Sequence, residues 1–345
     1  MILKKLLSLA ENGKVNDFFL RFGIRSLLRY RLYCEKSSDV SNEINKLQEF
    51  ISSVTKEVIA KDQDAANEQH YMIPSAFYDK CLGPRKKYSS CVWEGTTTNL
   101  EDAEIKSLKQ ICERAEIVDG QEILELGCGW GSLTLWLGEN YPKSQITALS
   151  NSSSQREYIL SKAREKSLNN INVITADIAN YNDTKQYDRI VSIEMFEHVR
   201  NHKALLKKIS TWLKNNGQLF VHIFSHAKYA YLFETEGDDN WMGRYFFTGG
   251  MMPSDSLFLY YQDDLTIKKH WRLNGKNYGK TADAWLENID KNKETVLPVL
   301  KEIYGENQEI IWFNRWRIFF LACSELFAFR NGNEWFVSHY LFRRK

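Results

Sequence analysis

From about Glu122 onward, short runs of apolar and β-branched residues alternate with stretches of helical periodicity. Glu122–Leu126, Gln145–Leu149, Asn172–Thr175, Asp188–Ile193 and Gln218–Phe224 read as strands, and their alternation with helices predicts a parallel sheet covered on both faces. Asn215-Asn216-Gly217 marks the turn into the fifth strand. Upstream of Lys80 there is no strand pattern. Leu20, Ile24, Leu27 and Leu28, then Ile44, Leu47, Ile51, Val54 and Val58, recur at helical spacing, predicting helices that pack on the following domain or cover its pocket. After His226 the texture becomes aromatic, with Tyr229, Tyr231, Phe233, Trp241, Tyr245, Phe246, Phe247, Phe258, Tyr260 and Tyr261 around a Gly249-Gly250 break. This segment reads as pocket wall, as core, or as both. The expected division is a helical region over 1–80, followed by an α/β domain over 81–345 with an aromatic insertion at about 226–262.

Composition narrows the function classes. A chain of 345 residues can bury a sizeable core. Its formal charge of +2 comes from basic and acidic side chains mixed along the sequence, which argues against a nucleic-acid partner. No apolar run approaches the roughly 20 residues of a membrane span, and Lys4-Lys5 interrupts the leucines near the start, so neither stable membrane insertion nor export is expected. Six cysteines without a C-x-x-C pair, and without a metal-ligand rhythm among seven histidines, predict reduced thiols in a cytoplasmic protein, with no metal and no disulfides.

Candidate chemistry gathers at the strand ends, where open α/β sheets bind ligands. The first strand runs into Gly127-Cys128-Gly129-Trp130-Gly131-Ser132, a glycine turn that lets backbone approach a nucleotide. Its G-x-G-x-G spacing, and a second strand ending in Ser150-Asn151 where a dinucleotide enzyme has an acid, argue against NAD. Asn151 and Gln155 are placed to hold ribose hydroxyls and Asp177 an adenine amino group, although each residue type also serves as a turn or cap. The fourth strand ends in Ile193-Glu194-Met195-Phe196-Glu197-His198. On one helical turn Glu194, Glu197 and His198 face the same way; alternatively, the acids sit at a helix N-terminus for its dipole.

Together, ELGCGWGSLTLW, LSNSSSQ, Ala176-Asp177-Ile178, IEMFEHV, YFFTGGMMPS and WRIFFLACSELFAF resemble the coclaurine N-methyltransferase group. That group lies within the cyclopropane-fatty-acid-synthase family of S-adenosylmethionine-dependent methyltransferases, and the likeness runs from about Tyr71 to the C-terminus. It implies a Rossmann-like class I methyltransferase: a seven-stranded, mostly parallel sheet with an antiparallel last strand at Trp335 to Phe342, under a helical N-terminal cover. It also implies S-adenosyl-L-methionine contacts: Tyr88 and Ser89 at the methionine end, Gly127, Cys128, Gly129 and Gly131 through the backbone, Asn151 and Gln155 at the ribose, Asp177 and Ile178 at the adenine, and Ile193 near the sulfonium.

Two branches of the family differ in what the pocket must do. Lipid-modifying members hold a bicarbonate base, and Cys128, Glu197, His222 and Tyr278 match the places of its ligands. This chain departs from them at Glu194, typically glycine there, and at Phe224, a small aliphatic residue there. An extra carboxylate suits an amine, so the expected activity is direct methyl transfer to a small amine, with Glu194, Glu197 and His198 as base and ammonium-binding group and His222, Phe224 and Tyr278 in the substrate pocket. A cyclopropane-synthase-like lipid activity is the alternative, and a silent cofactor-binding scaffold the third. A homodimer is compatible with the sequence, which does not fix the oligomeric state. Cys323, between apolar neighbours, reads as inert, and His70, His270 and His339 as structural.

Overall fold

The computed structural model describes residues 2–60, 73–237 and 240–345. The first expected strand is observed with its predicted bounds, β1 Glu122–Leu126, and the next three with slightly longer ones: β2 Gln145–Ser150, β3 Ile171–Thr175 and β4 Tyr187–Ile193. Strand β5 Leu213–His226 is twice its predicted length, because Asn215-Asn216-Gly217, expected as a turn before it, lies inside it as an irregularity in its pairing with β4. These five join β8 Leu265–Leu273 and β9 Trp335–Arg344 in one sheet of order β3-β2-β1-β4-β5-β9-β8. Neighbours among the first five are parallel, and β9 runs antiparallel to both β5 and β8, as the resemblance implies. Strand β8 escaped the sequence reading because exposed, charged residues break its apolar run. Its LTIKKHWRL run carries exposed lysines and a register shift between Ile267 and Lys269, and both lysines pair with Glu116. A small β6 Tyr231–Leu232 and β7 Met251–Met252 ribbon lies within the aromatic insertion.

Strand order reverses between β1 and β4, which opens a crevice above their carboxyl ends. The helices are α1 Ile2–Glu11, α2 Asp17–Glu35, α3 Val40–Val54, α4 Ser75–Cys81, α5 Leu100–Arg114, α6 Ser132–Asn140, α7 Ser153–Glu165, α8 His202–Trp212, α9 Trp241–Tyr245, α10 Lys276–Lys291, α11 Lys293–Tyr304 and α12 Glu309–Ala328. Among these described helices none is long and apolar enough to cross a membrane.

Helix α12 is apolar around most of its circumference and correspondingly buried, with Trp316, Phe319, Phe320 and Cys323 inside. Helices α1 and α2 bind its outer side through polar contacts: Arg317 bridges Asp17 and Asp290, Arg315 bonds Glu11, and Arg21 joins Asp283 and Glu325. Helix α3 instead sends Leu47, Phe50, Ile51 and Val54 into the cluster that holds Phe196 and Val199. The chain after α3 is stitched to the same place, because Arg200 N–H donates to Ile59 O at 2.8 Å and Asn201 Nδ2 to the carbonyls of Thr55 and Glu57. The N-terminal helices therefore brace the cleft from outside, and Ala60 is the one described residue of that region on its wall.

Trp316 is fully buried and ties three parts of the chain together. Its ring centroid lies 4.7 Å from Phe77 of α4, 5.0 Å from Phe246 of the insertion and 5.7 Å from Phe319. Replacing it by alanine should cost about 3–5 kcal/mol in denaturant unfolding, since these rings cannot close the space left behind.

Candidate functional site

Three glycines after β1 have positive φ, and each serves a different need. A Cβ on Gly127 would stand 2.7 Å from the Met195 side chain, and one on Gly131 would stand 2.6 Å from Ile159. Those two permit packing. Gly129, at φ 50°, has no atom within 4 Å of the same position and lines the cleft, so its open side leaves room for a ligand. Gly131 heads α6 without a side-chain cap, and the Ser132 hydroxyl beside it is buried without a hydrogen-bond partner among the described residues. A cradle of bare backbone, an uncapped helix start and an orphaned hydroxyl fit a nucleoside ligand.

The cleft above this loop is lined by Tyr88, Ser89, Gly127, Cys128, Gly129, Asn151, Gln155, Ile178, Ile193, Glu194, His198, Phe224 and Tyr278 among the residues expected from sequence. Four others lie off its wall. Gly131 packs beneath, against Ile159. Asp177 caps its own turn, with Oδ1 accepting from Ala179 N–H at 2.7 Å and Oδ2 from the Asn180 amide at 2.8 Å, so the turn reading holds for it. His222 and Glu197 stand behind the wall.

The expectation that Glu194, Glu197 and His198 share one helical face is corrected by the backbone. Glu194 adopts φ 48°, and helical turning begins only at Phe196, in a short 3₁₀ segment Phe196–His198. The left-handed step turns the Glu194 carboxylate to the cleft and sends Glu197 inward, where Phe224 N–H donates to its Oε1 at 2.8 Å and Oε2 has no hydrogen-bond partner among the described residues. Burial and the neighbouring Glu194 charge push the Glu197 carboxyl well above the usual range, so it keeps its proton.

Glu194 is treated differently. Its Oε1 accepts from Ser90 N–H at 2.9 Å and from His222 Nε2 at 3.0 Å, and Oε2 accepts from the Tyr278 hydroxyl at 2.6 Å. Burial raises its pKa, while the Lys87 charge, the Tyr278 hydroxyl and the Ser90 N–H oppose that rise. Of the two carboxyls, Glu194 is thus the one that gives up its proton more readily, and one of its four lone-pair positions is left for the cleft. His222 is pushed well below 6.5 by burial and by nearby Lys87 and Arg114, so its contact with Glu194 is a neutral hydrogen bond rather than an ion pair.

Several wall residues carried little signal in the sequence. Lys87 is buried, with Nζ donating to Ser89 Oγ and Ser90 O at 2.6 Å, yet Lys86-Lys87 reads as ordinary surface charge. Glu125 was detectable as an acid inside an apolar strand. It accepts from Thr134 Oγ1 at 2.5 Å, and burial pushes its carboxyl up to about 8. Of the described residues of the aromatic insertion, only Phe247 and Thr248 line the cleft; Trp130, Trp285 and Phe319 complete its aromatic wall from elsewhere. Phe247 stacks on the His198 ring at 5.5 Å and 5°. The remaining histidines divide. His270 bonds Asp255, as a structural residue would, whereas His339 contacts His222 and belongs with the site; His70 lies outside the described residues. Cys128 packs with Ala148, Ile159 and Val173, and Cys323 is buried with its thiol pushed far up, which leaves both as protonated thiols.

Gly129→Ala separates ligand space from folding. The methyl meets no protein atom, so the loss of stability should stay near 1 kcal/mol for the left-handed backbone. Calorimetric affinity for S-adenosylmethionine should fall by at least about tenfold as the methyl enters the ligand's space.

The sequence profile of the family described as mycolic acid cyclopropane synthetase matches residues 59–335. The chain is 38% identical to (S)-coclaurine N-methyltransferase of Thalictrum flavum subsp. glaucum over 100% of its own length and 96% of that protein. It is 35% identical to (S)-coclaurine N-methyltransferase of Papaver somniferum, covering 99% of this chain and 98% of that one. A solved structure of coclaurine N-methyltransferase bound to N-methylheliamine and SAH superimposes with a TM-score of 0.96 at 37% identity over all of both chains. With its sheet order, its glycine cradle and this full-length similarity, the chain belongs to the cyclopropane-synthetase family of S-adenosylmethionine-dependent methyltransferases, in the coclaurine N-methyltransferase-like group.

Proposed function

We propose that this protein methylates the nitrogen of a small amine, with Glu194 as the base that frees the nitrogen lone pair. The observation that carries the reading is the Glu194 carboxylate itself, held ionised by three donors with one lone-pair position toward an aromatic-walled cleft. An alkylamine is mostly protonated near neutral pH and cannot attack a methyl group until that proton leaves. Tyr88, Trp130, Phe247, Trp285 and Phe319 offer ring faces to the ammonium, and Glu194 accepts its proton. His198, braced flat against Phe247, positions the amine on the opposite side. Bound S-adenosylmethionine supplies a methyl group on a sulfonium centre. The chain's contributions are the base, the cationic pocket and the alignment, and alignment is worth more, at roughly 7–11 kcal/mol against roughly 3–5 for the base.

The lipid alternative is less well supported for a specific reason. His222 and Tyr278, which the resemblance assigns to a bicarbonate ion, both donate to Glu194. The chain's own carboxylate stands where those donors converge. Glu197, another member of that set, is turned into the protein interior. The same proposal includes a small-molecule partner, a cytoplasmic setting compatible with six free thiols, and a helical N-terminal unit over 1–80 that braces the pocket of the unit over 81–345.

Transfer of labelled methyl from S-adenosylmethionine, offered together to secondary and tertiary amines and to unsaturated phospholipids, tests the reading; label in lipid alone would sink it. Glu194→Gln should lower kcat by about 10²–10⁴-fold with little change in cofactor affinity. Glu197→Gln, which replaces a carboxyl already holding its proton, should stay within about tenfold of the parent. Because the base works deprotonated, kcat should rise with pH through the elevated Glu194 titration, and that limb should vanish in Glu194→Gln. Equal losses in the two variants would contradict the assignment of different roles.

A further inference from the structure

The hydrogen bonds behind Glu194 continue across the sheet. His222 on β5 pairs in register with His339 on β9, which pairs with Trp271 on the edge strand β8. His222 Nε2 lies 3.0 Å from Glu194 Oε1, and His222 Nδ1 lies 2.9 Å from His339 Nε2. His339 Nδ1 in turn lies 2.9 Å from Arg114 NH1, at the last residue of α5. Both imidazoles are about 1% exposed, while the Arg114 guanidinium lies over the Trp271 ring at 5.3 Å, closer to the surface.

The chemistry of the last residue gives this chain a direction. A guanidinium can only donate, so His339 Nδ1 must accept. A neutral imidazole carries one N–H, so His339 Nε2 donates to His222 Nδ1, and His222 Nε2 donates to Glu194. Burial and the Lys87 and Arg114 charges, joined at His339 by the neighbouring His222, keep both imidazoles neutral and leave no second N–H to reverse the order. In the opposite tautomer a nitrogen lone pair would face Glu194 Oε1, and the contact would survive only with a proton placed on the carboxyl. Such a Glu194 is no longer a base.

We propose that Arg114 and His339 are positioning residues, which fix His222 as its Nε2–H tautomer through a directed chain of hydrogen bonds and thereby keep Glu194 an ionised acceptor. This rests on the reading of Glu194 as the amine's base. The chain ends on a cation that does not release its proton, so it orients the base and does not carry the substrate proton away.

The test uses the full-length protein with isotope-labelled histidine and glutamate, comparing Arg114→Met, which removes the donor, with Arg114→Lys, which supplies another. In the parent, the ring-nitrogen shifts of His222 should show the Nε2–H tautomer, and the carboxyl-carbon shift of Glu194 should show an ionised group. Arg114→Met should mix the His222 tautomers and move the Glu194 signal toward the protonated position. It should also lower kcat for amine methylation about tenfold while KM for S-adenosylmethionine stays within about twofold. Arg114→Lys should restore most of each change. Unchanged tautomer and carboxyl signals in Arg114→Met, or equal losses in both variants, would overturn the proposal, as would shifted signals at full kcat. If the parent methylates no amine, the amine reading fails by itself, and the two NMR signals still decide whether Arg114 sets the state of Glu194.

Discussion

The arrangement of this site depends on an ionised carboxylate kept inside the protein. A buried Glu194 without partners would take up a proton, because the loss of water disfavours its charge. The Ser90 N–H, the His222 imidazole, the Tyr278 hydroxyl and the nearby Lys87 ammonium together offset that tendency, and they come from three separated parts of the chain. Much of the architecture serves to bring them to one point. Strand β5 carries His222, α10 carries Tyr278, and the segment before α5 carries Lys87 and Ser90.

The contrast with Glu197 follows from the same physics. Three residues apart and both buried, the two carboxyls differ because one receives several donors and a nearby cation, and the other receives a single backbone N–H and a like charge. The strained left-handed backbone at Glu194 separates them: a regular helix there would have crowded both carboxyls onto one wall, where mutual repulsion would have forced one proton to be shared. Strain at one residue thus gives two carboxyls distinct states.

The aromatic packing gives that point its surroundings. Trp316 and its neighbours join α12, α4 and the insertion into one body, from which Phe247 and Phe319 reach the cleft. The N-terminal helices meet the outside of this body and the chain beyond Phe196, bracing the site at a distance. Within a family whose profile is named for cyclopropane synthesis, this geometry places a protein carboxylate among donors assigned to a bicarbonate in lipid-modifying members, which is a physical basis for a change of acceptor chemistry.

What the sequence by itself determined was whatever depends on local pattern. Five strands were legible because their apolar and β-branched runs alternate with helical stretches, and the glycine turn and the Ile193–His198 acids were legible because they follow those strands directly. The edge strand β8 was not, since exposure on one side removes the apolar signature. Lys87 carried no sign of its burial, and His339 read as an isolated structural histidine, because burial and cross-strand pairing depend on distant chain segments. Only the tertiary structure decided which of two nearby glutamates gives up its proton more readily, and it is the basis for the proposed histidine tautomer. Proton positions are set by the groups converging on them in space, and here the groups that converge on Glu194 come from residues 87 to 278.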